Sequence, residues 1–205
     1  DRLPPNRARA MGVGDVRNLE GSWVVGNARR DTNTANIEAG VIYSSVRSAA
    51  VYRCPADQSK MAISSSRRTR SYSFNAWLNS SYTANGLDWK PETYPWSKLK
   101  LSELLDPPPS GVFGFLDEHE QSIDAGVYVL EQPHRVTSDS TTDHWYSLPA
   151  DRHQQGCNLS FLDGHVDHWR WKAPKVFKQF VTPAKHDLAD LRRLQEAVPH
   201  NETAK

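Results

Sequence analysis

The sequence predicts an α+β domain on an antiparallel sheet, from three observations. Strand-like runs crowd the middle of the chain, helical periodicity is confined to its ends, and no strand–helix–strand alternation or internal repeat connects them. The 205 residues suffice for one domain with a buried core, so residues 1–205 are read as a single unit.

In chain order, the first forty residues are polar and loop-rich, with Trp23-Val24-Val25 as their one obvious strand. Asn36 is placed to cap a short helical stretch containing Ile37, Val41 and Ile42, weakened by Gly40. Ser71 to Leu78 alternates aromatic and polar residues at period two, the signature of a strand. Residues 79–96 form a Ser-, Asn- and Trp-rich excursion, and "KLKLSELL" is a short helix or turn stopped by Pro107. Gly111 to Leu116 is a hydrophobic strand ending in Asp117-Glu118-His119; Ser122 to Gly126 turns, and Val127 to Leu130 returns. Asn158 to Leu162 and His165 to Trp171 flank Asp163-Gly164, which predicts a hairpin with a two-residue turn pairing Phe161 with Val166 and Leu162 with His165. Asp187 opens an amphipathic helix carrying Leu188, Leu191 and Leu194 and running to about Val198.

Twenty-five Lys and Arg balance 24 Asp and Glu, which excludes the basic excess of a nucleic-acid binder. The one basic cluster, Arg67-Arg68-Thr69-Arg70, reads as a solvated loop. No apolar run reaches the length of a membrane span. The chain opens at Asp1 without Met, so an upstream segment is expected. Cys54 and Cys157 lack C-x-x-C spacing and are open to two readings, a long-range disulfide or two buried thiols.

Asp117, Glu118 and His119, with His153 and Asp163 or His165, form the sharpest chemical hypothesis. Mixed imidazole and carboxylate ligands suit zinc or another transition metal, while the oxygen-rich loop Asp139 to Asp143 suits calcium. Either ion is expected to be structural, with no cofactor required. The simpler account has the carboxylates accepting turn hydrogen bonds and the imidazoles satisfying nearby carbonyls. No H-E-x-x-H, G-x-S-x-G, P-loop or dinucleotide motif selects an enzyme. Trp77, Trp89 and Trp96 offer stacking surfaces for a polysaccharide, though tryptophans more often pack in a core.

His153, nine intervening residues and Asp163-Gly164 resemble the signature of the prepilin-type, processing-associated H-X9-DG proteins. "YRCPADQS", "SYSFNAWL", "FLDEHEQSIDAG", "WYSLPADRH" and "DLRRLQE" resemble further segments of that family in the same order, so the likeness runs from about Asp1 to Glu196. Ser147 stands where the family has an acidic residue. The resemblance implies the head of a pseudopilin-like subunit with a type IV pilin-like fold, its N-terminal hydrophobic helix absent here. It further implies a non-enzymatic role in a type II secretion or pilus-like filament. Its partners would be other pseudopilins or secretion components, at the periplasm or cell surface, with membrane contact only through the missing helix. In that oxidising setting Cys54 and Cys157 are expected to be joined. A carbohydrate-binding surface protein and a metal-dependent hydrolase are the alternatives.

Overall fold

Three sheets organise the chain, and the computed structural model describes them through residues 1–12, 15–61, 64–84, 87–89 (backbone only), 97–131, 143–178 and 181–200. Along the chain run β1 (Asn6–Gly12), β2 (Asp15–Asn18), α1 (Ala35–Glu38), α2 (Tyr43–Val46), β3 (Tyr72–Asn75), β4 (Ser80–Ala84) and β5 (Leu87–Trp89). They are followed by β6 (Phe113–Asp117), β7 (Val127–Tyr128), β8 (His144–Trp145), β9 (Gly156–Phe161), β10 (Val166–Arg170), β11 (Thr182–Pro183) and α3 (Leu188–Gln195). The central sheet has the order β10-β9-β6-β3-β7; β2-β1-β4-β5 and β11-β8 form the others. The class is α+β, with mixed rather than purely antiparallel sheets, because β1 runs parallel to β4 and β3 parallel to β7. No described helix is long and apolar enough to cross a membrane.

Both faces of the inner strands of the central sheet are covered. On one, Cys157, Leu159 and Phe161 of β9 pack with Trp169 of β10 and with Leu191 and Leu194 of α3. On the other, Phe74 and the partly buried Phe115 pack against Trp23, Val24, Ile37 and Tyr52 from the N-terminal quarter. Burying both faces explains why "FGFLD" in β6 reads as a continuous apolar run rather than an alternation.

The structure corrects several expectations. Trp23-Val24-Val25 is not a strand; Trp23 is a buried plug whose indole Nε1 donates to Gly126 O at 2.9 Å. The helical stretch splits at Gly40 into α1 and α2, and Asn36 lies inside α1, its amide bound to Asp31 Oδ1 at 2.7 Å instead of capping. β7 returns against the direction of β6 but lands beyond β3, so it pairs with β3. Arg68 and Arg70 are buried, not solvated: Arg70 pairs with Asp31 at 3.0 Å and donates to the carbonyls of Val25, Gly26 and Asp124, tying the N-terminal quarter to the turn before β7. α3 ends at Gln195, earlier than expected.

The hairpin forms with a shifted register. Ser160 pairs with Val166 and Leu159 with Asp167, while Phe161 N donates to His165 O, leaving Leu162-Asp163-Gly164 as a three-residue turn. Gly164 sits at φ +96°, the left-handed conformation that such a turn requires. The shift of one residue turns Trp169 into the core and Val166 and His168 to the opposite face.

Candidate metal centre

Three separate segments meet at the end of β6 opposite to the hairpin turn. The first is the turn after Tyr52. Cys54 N donates to Ser71 Oγ at 3.2 Å, and Ser71 Oγ donates onward to Asp57 Oδ2 at 2.6 Å. The second is Asp117, the last residue of β6, paired in register with Tyr72. The third is the turn 152–155, where two consecutive left-handed residues, Gln154 (φ 53°) and Gln155 (φ 60°), fold His153 back over the start of β9. His168 Nε2 lies 3.0 Å from His153 O, and Gly156 leaves room for it: a Cβ there would stand 2.7 Å from that ring nitrogen and 2.4 Å from Trp169 O.

These segments converge on one point. Cys54 Sγ lies 3.1 Å from His153 Nε2, which lies 3.3 Å from Asp117 Oδ2, and the three ligand atoms are all within 4.8 Å of one another. Cys54 and Asp117 are buried, whereas the His153 side chain is 24% exposed and forms the open side. Asp117 Oδ2 is fully enclosed and accepts no well-aligned hydrogen bond; its neighbours are His153 Nε2 and the Cys54 thiol, the other two groups able to bind a metal. Its other oxygen is held by Arg152 Nη1, and Arg152 also reaches Glu120 at 3.0 Å and Asp57 at 3.8 Å.

Burial is the largest influence on the ionisable groups of this cluster. Burial opposes charge on Arg152, but Asp117 and Asp57 overcome it and raise its pKa. Burial also pushes Asp57 up, yet hydrogen bonds from Ser59 and Ser71 and the charge of Arg152 hold it below the usual carboxylate range. For Asp117 burial wins over Arg152, so its carboxyl is raised. Burial and then the charge of Asp117 push the Cys54 thiol up. Arg152 faces Asp117, Asp57 and Glu120, and Arg68 also faces Asp57 and Glu120.

The donor set fits zinc. A soft thiolate, an imidazole and a carboxylate are its ordinary ligands, at bonds of roughly 2.0–2.3 Å, which places ligand atoms on one ion about 3–4 Å apart. A thiol and an imidazole do not suit calcium, which takes oxygen.

Of the six residues that the sequence nominated as ligands, Asp117 and His153 lie in this centre. Glu118 points to the other side, its Oε1 accepting from Ser122 Oγ at 2.8 Å, and burial pushes its carboxyl up to about 8. His119 is buried, with Nδ1 accepting from Gln121 N, and burial lowers its pKa. Asp163 and His165 form an exposed pair at 2.6 Å in the hairpin turn, at the opposite end of β9. Asp143 pairs with Arg192, and Asp139 of the proposed calcium loop lies outside the described residues. Trp77 packs against the core and donates to Leu130 O; the side chain of Trp89 and all of Trp96 lie outside the described residues.

Cys54 is the ligand that sequence reasoning missed as such. Cys54 and Cys157 are both free and buried, so the expected disulfide is not formed; the side chain of Cys157 lies in the core beneath β9 while Cys54 faces His153. The Cys-Pro-x-Asp segment was the available signal, since it supplies both Cys54 and Asp57. The buried Cys54–Asp117–His153 cluster also overturns the expectation of a purely non-enzymatic chain, because nothing in a passive filament head requires three metal-binding groups around one point.

Among family models, curated proteins and solved structures, none matches this chain.

Proposed function

We propose that the chain is a metal-dependent hydrolase whose zinc is held by Cys54, Asp117 and His153. The observation that carries this reading is the convergence of those three ligand atoms, with access from the His153 side. Three protein ligands leave a fourth position open, the arrangement of catalytic rather than structural zinc. Zinc so held supplies Lewis acidity and acidifies a water molecule. The chain's own residues do the positioning. Arg152 fixes the Asp117 carboxylate through its other oxygen, and His168 fixes the backbone of His153, as supporting groups around a metal commonly do. Tyr72, the register partner of Asp117, stays protonated because burial raises its pKa, so its hydroxyl is a donor at the rim of the site.

The test is hydrolysis of 4-nitrophenyl acetate by the full chain, stripped with chelator and then reloaded with one equivalent of zinc. Turnover returns on reloading in the wild type and is absent in His153→Ala and Cys54→Ser. Equal rates with and without zinc count against the reading.

A second reading keeps the filament role. It is supported by the way segments carrying the family resemblance meet in space: Cys54 and Asp57, Asp117, and His153 belong to three of the quoted motifs and all reach the same centre. On this reading an extracytoplasmic pseudopilin-like head, with a pilin-like fold, carries the zinc centre.

A further inference from the structure

The register of the central sheet places the metal centre and a cleft on one face. Tyr72 opposes Asp117, Phe74 opposes Phe115, Phe115 opposes Ser160, and Ser160 opposes Val166. Directly opposed residues share a face, and residues two apart on a strand share it too. Asp117 therefore ends the row of side chains that begins at Phe115. Over that row lies a cleft of about 390 Å³, closed from above by Trp23, Ile42 and Tyr52. Its volume falls in the range of small-molecule sites.

The chemistry of the cleft selects its occupant. Among the described residues no Asp, Glu, Lys, Arg or His lines it, and its polar groups are those of Asn158, Ser160, Trp23 and two tyrosines. A carboxylate or phosphate would lose its hydration there without a counter-charge, which is costly, whereas an alkyl chain gains. The rim carries apolar side chains in contact with water: Val46 is 38%, Val51 56% and Val166 67% exposed. Tyr72 lines the cleft and is the register partner of Asp117, so it joins the cleft to the metal centre.

We infer that this cleft is the acyl pocket of the centre, and that the substrate class is an uncharged carboxylic ester with an apolar acyl chain. The inference rests on the hydrolase reading above. An acyl chain lying over Phe115 and Val166 brings its carbonyl to the Tyr72 end, beside Asp117 and His153. Hydrolysis then needs only water as co-reactant: the water oxygen bonds to the acyl carbon, the bond from that carbon to the alcohol oxygen breaks with its electron pair going to the alcohol, and a proton from water follows.

The experiment measures kcat/KM of the zinc-loaded full chain on 4-nitrophenyl acetate, butyrate and hexanoate, alongside zinc affinity. The same set is run on Val51→Asp and Val166→Asp, whose exposed positions tolerate a charge without disturbing the core. The expected result is a rise of about tenfold or more from acetate to hexanoate, as apolar burial per methylene implies. Each variant flattens that rise while zinc affinity stays the same. Zinc binding and turnover with no dependence on chain length would overturn the acyl pocket and leave the centre standing. A dependence that survives both variants would place the chain elsewhere and overturn it as well. Failure to bind zinc would remove the centre itself, and the acyl pocket with it.

Discussion

Two buried polar clusters in this chain have opposite states of completion. Lys175, fully enclosed, places Nζ 2.7 Å from Asp190 and 3.0 Å from Asp187, between the rings of Trp145 and Trp171 at 5.2 and 5.1 Å. Asp190 also accepts the amides of Lys172 and Ala173, and Asp187 accepts Trp145 Nε1. Each charge there has an opposite charge and further donors, the condition under which buried ions are tolerated. The Cys54–Asp117–His153 cluster is enclosed on two sides, but Asp117 Oδ2 meets only the other two metal-binding groups and makes no well-aligned hydrogen bond. A complete cluster holds a fold together, and an incomplete one signals a partner from outside.

The largest effect that would separate them is Lys175→Met. It leaves Asp187 and Asp190 buried without their cation and should cost about 3–5 kcal/mol in urea unfolding. His153→Ala should cost under about 1 kcal/mol in the metal-free protein, since the ring is partly exposed and its loss opens no core. Similar costs for the two would erase the distinction.

A second contrast uses pH. Glu118 is a raised acid, so the stability it contributes is full below its ordinary pKa of 4.5 and is lost as pH rises toward about 8. From about pH 5.5 to 7.5 the wild type should lose on the order of 3 kcal/mol relative to Glu118→Gln, at about 1.4 kcal/mol per pH unit. Urea curves of both proteins at the two pH values check this; parallel pH dependence would show that the side chain is not held protonated.

A third prediction concerns zinc, which at a hundredfold excess over its Kd should stabilise the wild type by about 2.7 kcal/mol and His153→Ala by much less. Lys175→Met should retain the full zinc effect. Least affected should be Gly164→Ala, which touches neither cluster; its Cβ meets no atom, and only the positive φ costs, about 1 kcal/mol in thermal unfolding.

Much of the sheet was legible because period-two patterns and turn residues are local. β3, β10 and α3 lie within the runs that the sequence marks out, while β6 overruns its run by Asp117 and β9 begins two residues earlier, at Gly156. The hairpin register was not, since Asp163-Gly164 fits a two-residue or a three-residue turn and the choice falls to Trp169, which gains a buried place only in the second. β1 and β2 were missed because Arg7, Arg9 and Arg17 hide their strand character in a polar segment. At the metal centre Asp117 and His153 were visible as polar residues in a strand end and a motif. Cys54 was not, because its contact with His153 spans 99 residues and depends on two left-handed glutamines that no periodicity announces.

Zinc binding by Cys54, Asp117 and His153 can be read by titrating the chelator-treated full chain with cobalt(II), a spectroscopic stand-in for zinc. One equivalent should bind, with a thiolate-to-cobalt charge-transfer band that disappears in Cys54→Ser and persists in Cys157→Ser. Cobalt that binds with no such band, or a band that survives Cys54→Ser, would contradict binding by these ligands.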